Sequence, residues 1–189
     1  MNIIPEIESH PLQPFLPENA RLLLLGSFPP PKERWCMMFF YPNPQNDMWR
    51  IMGQVFYSDK IKFVEQMTKC DATEQELSGK HELQRGSKEQ GHKTIFKYDE
   101  IVAFCREKGI AIFDTAQAVR RMRGNAADEH LEIVEKTDIA DLLKGLPLCH
   151  DICCTGQKAA DTLAETMLCA KPKVGEYVEA HFAGRDIRF

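Results

Sequence analysis

The stretch "RLLLLGSFPPPKERWCMMFFYPNPQNDMWRIM" (residues 21–52) decides the fold. Within its first six residues, Leu22 to Leu25 form a continuous apolar run ended by Gly26, the pattern of a strand buried on both faces. Two comparable runs follow, "GIAIFDT" (residues 109–115) and "HDICCTG" (residues 150–156), and "GRDIRF" (residues 184–189) reads as a fourth strand. Between them, apolar residues recur at helical spacing. The expected helices span residues 46–56 (Met48, Ile51, Met52 and Val55 on one face), 60–68, 98–108, 137–143 with Thr137 or Asp138 as cap, and 157–168. Strands alternating with helices require right-handed crossovers. The expected fold is therefore α/β, a three-layer α/β/α arrangement around a central, mainly parallel four-stranded sheet. Ligands in such folds sit beyond the carboxyl ends of the strands, where the proline-rich loop begins.

Residues 1–189 are expected to form a single domain, since the length suits one hydrophobic core. Residues 1–20 carry four prolines and read as an extended arm. Residues 69–94 are polar and glycine-punctuated, as in a surface insertion. The short basic run "RRMRG" (residues 120–124) fits either a solvated turn or a contact with phosphates.

No apolar run approaches the ~20 residues of a membrane helix, and the first twenty residues lack the pattern of a secretory signal. A cytoplasmic protein without a membrane partner is expected. Seven cysteines, mostly in apolar segments, fit buried, inert thiols in a reducing compartment. Cys149, Cys153 and Cys154 do not have paired C-x-x-C spacing, and Cys153 and Cys154 fall in a strand expected to be buried, so no metal site is expected. The net charge of −4 means that any nucleic-acid role must rest on a local site.

The loop itself carries the chemistry. Prolines fix backbone torsions and lower the entropic cost of holding one loop shape, so the aromatics between them are presented ready-made. Such a surface suits a planar ligand, and stacking on a nucleobase contributes roughly 1–3 kcal/mol. Asn46 offers an amide that can match a base edge, or it caps the following helix; the sequence leaves both open. Trp49 reads as a core residue.

Read as one unit, "LLLLGSFPP…FFYPNPQNDMWRIM" resembles the first motif of the uracil-DNA glycosylase superfamily. The resemblance is strongest to the hypoxanthine (deoxyinosine)-DNA glycosylase branch, and next to the mismatch-specific uracil/thymine glycosylases. The segments "GIAIFDT" and "CCTGQKAADTL" resemble the second and third motifs more weakly. The resemblance implies that Gly26, Ser27, Phe28 and Pro29 line a base pocket and that Tyr41 stacks on an extruded base. It implies that Asn46 is catalytic, bonding the base or orienting water, and that Asn43 and Asp114 also border the substrate. Gly156, Gln157 and Lys158 would lie along the DNA backbone, with helix N-terminal amides available to phosphate.

The implied reaction is hydrolysis of the N-glycosidic bond of hypoxanthine or uracil in base excision repair, without metal or cofactor. The implied partner is DNA containing a damaged or mispaired base, engaged by a monomer. Three positions depart from the family. Phe28 stands where the mismatch-specific branch has a water-positioning Asn, and Asn43 replaces a His. The Pro-Ser loop that follows the fourth strand in the family does not occur before Phe189, so the expectation is either a truncated chain or a protein without that DNA-inserting wedge. The alternative to catalysis is a weak or inactive relative that binds a nucleobase or DNA without hydrolysis.

Overall fold

The computed structural model describes residues 5–67, 93–122 and 130–189. At the centre of the described residues is a five-stranded sheet in the order β5 (Ile110–Asp114), β2 (Leu22–Gly26), β8 (Asp151–Cys154), β10 (Arg185–Arg188) and β9 (Glu179–Phe182). Strand β2 (Leu22–Gly26) pairs in parallel with β5 (Ile110–Asp114) on one side and with β8 (Asp151–Cys154) on the other. Leu23, Leu24 and Leu25 are almost completely buried, as expected of an all-leucine strand in a parallel sheet covered on both faces.

Strand β10 (Arg185–Arg188) continues the parallel order beside β8. The sheet holds five strands rather than four, because Gly184 in a left-handed turn (φ 76°) folds β9 (Glu179–Phe182) back antiparallel on β10. The ladder pairs Asp186 with His181 and Arg188 with Glu179, which places these residues on one face with Asp151 and Cys153. That face is open, so Cys153 is exposed; Cys154, on the opposite face, is half-buried, and the strand is less enclosed than expected. Cys36 and Cys169 are also partly exposed, and the expectation of uniformly buried thiols holds for Cys105 and Cys149 alone among the described cysteines.

Helix α1 (Met48–Tyr57) turns Trp49 and Gly53 inward and ends on Ser58 in the left-handed region. Helix α2 (Tyr98–Lys108) buries Ile101, Val102, Phe104 and Cys105, and Gly109 (φ 65°) closes it. Helix α3 (Ile139–Lys144) starts at Asp138, whose side chain accepts the amide of Asp141; Asp138 and not Thr137 is the cap. Helix α4 (Gln157–Met167) follows β8 directly.

The helix expected at residues 60–68 is not formed within the described residues. A turn held by the Asp59 carboxylate leads instead into β3 (Val64–Met67), antiparallel to β4 (Lys93–Phe96). Phe63, just before the strand, is 1% exposed, and its insertion into the core replaces the helical face that local spacing offered. The expected insertion at residues 69–94 lies outside the described residues, except that Lys93 and Thr94 begin β4.

A separate antiparallel sheet, in the order β1-β6-β7, joins β1 (Glu8–Ser9), β6 (Ala116–Arg121) and β7 (Leu131–Lys136). Here the extended arm finds its partners: Glu8 and Ser9 pair with β6, and Phe15 and Ile112 exchange backbone hydrogen bonds. Arg120 and Arg121 belong to this sheet rather than to a solvated turn. Arg121 is buried, donating to Glu8 and to the carbonyl of Pro29, while Arg120 lies 3.6 Å from Glu132.

Candidate functional site

A pocket of about 240 Å³ opens beyond the carboxyl ends of β2, β5 and β8. The chain runs from β2 to β5 on one side of β2 and then to β8 on the other, which makes this the switch point where open α/β sheets bind ligands. The volume falls below the ~300–1,000 Å³ of drug-sized sites, a scale suited to one small ring.

Gly26, Ser27, Phe28 and Pro29 form the turn out of β2 and all line the pocket, joined by Tyr41, Asn43, Asn46, Asp114 and Gly156. Gln157 and Lys158 do not line it. They begin α4 beside it, and Lys158 gives its ammonium to the carbonyl of Leu131. Sequence reasoning missed Thr155, Pro30, Phe40 and Pro42 in the lining.

The loop is stitched across its own neck. The Trp35 indole donates to the Pro30 carbonyl at 2.7 Å, and the Cys36 amide donates to the Pro42 carbonyl at 3.0 Å. With prolines fixing the torsions between these points, the aromatics are held in place before any ligand arrives. Tyr41 sits at φ 51°, a conformation bulky residues adopt only where the surroundings impose it. Its ring meets Trp49 edge-on at 6.1 Å, and its hydroxyl lies 3.0 Å from the hydroxyl of Thr155. Burial, and secondarily the charge of Asp114, holds the Tyr41 phenol above its ordinary range, so it stays protonated and able to donate.

Asn46 stands one residue before Asp47, which is the cap position of α1. The Asn46 Oδ1 accepts the Met48 amide at 2.8 Å, which makes it a helix-start residue. The residue nevertheless lines the pocket, and with Oδ1 engaged the Nδ2 amide group is the donor it can offer a ligand. Asn43 is similarly engaged, its Oδ1 accepting the Gln45 amide. Phe28 presents its edge to His10 at 5.3 Å, and the Arg121 guanidinium stands 5.5 Å over its ring.

Asp114 ends β5 and is the one carboxylate among the described residues of the lining. Gly26 opposite it has no Cβ for a packing reason: a methyl group there would collide with Asp114 Oδ1. His10, from the arm, reaches Asp114 Oδ2 at 2.9 Å through Nε2. The His10 side chain is fully buried, and its Nδ1 faces the backbone of Leu12. No local pattern signals this pair, whose members stand 104 residues apart.

The assembled groups are one carboxylate, one phenol, amide N–H groups and a hydroxyl around apolar walls. They can orient a small planar polar ring and take a proton from a water beside it. Among the described residues no group of three or more His, Cys, Asp or Glu side chains could hold a metal ion.

No family model matches the sequence, and no curated protein matches it. Among solved structures, the chain is similar to the solution NMR structure of a "putative Uracil DNA glycosylase" from Methanosarcina acetivorans. The TM-score is 0.54 at 22% sequence identity, over 87% of this chain and 80% of that one. The likeness extends over most of both chains and shows that they share a fold.

Proposed function

We propose that the protein is a DNA glycosylase that hydrolyses the N-glycosidic bond of a deaminated base, hypoxanthine or uracil, in base excision repair. The observation that carries this reading is the pocket itself: base-sized, at the switch point of the sheet, with Tyr41 as a fixed aromatic wall and Asn46 in its lining. The shared fold with a protein described as a uracil DNA glycosylase supports it.

In this reading the extruded base enters beside Tyr41, at an unstacking cost of a few kcal/mol that is smallest for mispaired bases. Asn46 Nδ2 donates to a base carbonyl and stabilises the negative charge that grows on the departing ring. Gly156, Gln157 and Lys158 lie along the DNA backbone, with Lys158 first leaving the Leu131 carbonyl. The protein acts as a single-domain monomer, and the chemistry needs no cofactor.

The test is release of free base from duplexes carrying one deoxyinosine or deoxyuridine. Wild type is expected to leave an alkali-cleavable abasic site, and Asn46→Ala to lose that activity. A nucleobase- or DNA-binding protein without hydrolysis is the second reading, favoured by the commitment of Asn46 Oδ1 to the Met48 amide. Saturable binding of such a duplex with no base released identifies it.

A further inference from the structure

We infer that His10 and Asp114 form a working dyad in which Asp114 takes the proton from the attacking water and His10, delivered by the N-terminal arm, holds the carboxylate in place. The inference rests on the glycosylase reading and adds to it the group that activates water. Three observations lead to it.

First, the pocket needs a proton acceptor, and its amide oxygens are in use. Asn46 Oδ1 accepts from Met48 and Asn43 Oδ1 from Gln45, while Tyr41 keeps its proton. Asp114 is the one carboxylate in the lining among the described residues.

Second, the Asp114 carboxylate is held by His10, whose Nε2 lies 2.9 Å from Oδ2; the missing Cβ of Gly26 leaves room for Oδ1, and the Thr137 hydroxyl fixes the backbone of Asp114 by donating to its carbonyl at 2.7 Å. Facing a carboxylate, Nε2 carries a proton, and Nδ1 on the far side of the ring lies 2.8 Å from the Leu12 carbonyl, to which it donates when protonated, and 3.2 Å from the Leu12 amide, from which it accepts when not.

Third, the arm is anchored on both sides of His10. Its amide donates to Gln117 at 2.8 Å, Glu8 and Ser9 pair with β6, and Phe15 bonds Ile112. Phe113 and Phe28 pack on the imidazole at 4.5 and 5.3 Å and keep it dry. A buried imidazole paired with a carboxylate at a pocket is more than a core contact needs, because ion pairs in a core commonly yield no net stability over apolar packing.

The step balances. The water oxygen bonds to C1′ of the sugar while the C1′–N bond breaks and its electron pair stays on the base. The water proton passes to Asp114 and then to solvent, and the base takes up a proton from solvent. His10 does not touch the substrate and is a positioning residue, whereas Asp114 is catalytic.

The experiment measures single-turnover base release and duplex affinity, on a duplex with one deoxyuridine or deoxyinosine, for wild type, Asp114→Asn, His10→Phe and His10→Gln. Asp114→Asn is expected to slow release by about 10²–10⁴-fold while affinity stays within about threefold. His10→Phe fills the same space without a donor and is expected to lose at least tenfold in rate with affinity held. His10→Gln, which restores an N–H donor, is expected to recover part of that loss. Rates within threefold of wild type for Asp114→Asn and His10→Phe overturn the dyad and leave the glycosylase reading standing. Affinity falling in step with rate also overturns it, by showing a structural role. A folded wild type that binds the duplex and releases no base overturns both.

Discussion

Gly26, Tyr41, Asp114 and His10 meet within one small volume, and each tolerates little change. Gly26→Ala forces Asp114 Oδ1 aside. Moving a carboxylate is easier than moving backbone, so the stability cost is expected at about 1–3 kcal/mol. The displacement also pulls on His10, and misplacement on the scale of an ångström can slow a reaction about 10²-fold. Melting together with base-release rates on the variant checks both figures. Most lining residues were legible in the sequence because the loop from Gly26 to Asn46 is contiguous, and its glycine, prolines and amides each have a local reason to be there. His10 was not legible. Its role depends on an arm crossing to the end of β5, a contact that no local pattern encodes.

Among the elements, legibility followed the locality of the signal. Helix α2 matched its expected span because Ile101, Val102 and Phe104 share a face and Gly109 can adopt the left-handed stop. Helix α3 was marked by its cap, and Asp138→Ala is expected to cost about 0.5–2 kcal/mol. A urea unfolding curve with unchanged slope and a lowered midpoint would show that cost. Strands β6 and β7 were missed for the opposite reason. Their outward residues, among them Gln117, Glu132 and Glu135, look like loop, and their order comes from pairing with one another and with the arm. Strand β3 was read as helix because Phe63 and Val64 fit a helical face, whereas its ladder with β4 depends on residues about thirty positions away.

For the molecule as a whole, two buried thiols set a limit at alkaline pH. Burial holds Cys105 up at about 12 and Cys149 at about 11, against an ordinary thiol value of 9.0. With folded values above unfolded ones, the stability these thiols confer is complete below pH 9 and is lost as pH rises towards 11–12, because the unfolded chain releases its protons first. The urea midpoint is expected to hold from pH 7 to 8.5 and to fall above pH 9; Cys105→Ala, compared at each pH with its own neutral value, should fall less steeply. The parallel core of the sheet was legible from three apolar runs ended by Gly26, Asp114 and Cys154 with their flanking turns, and these ends frame the pocket. The function proposed for this pocket is hydrolysis of the bond to a deaminated base. The most direct measurement is single-turnover conversion of a deoxyinosine or deoxyuridine duplex to abasic product by wild type and by Asn46→Ala. Wild type should convert the duplex, and Asn46→Ala should slow conversion by about 10²–10³-fold while losing no more than about 1 kcal/mol of stability with its bond to the Met48 amide. No abasic product from folded wild type, or equal rates for the two proteins, would contradict the account.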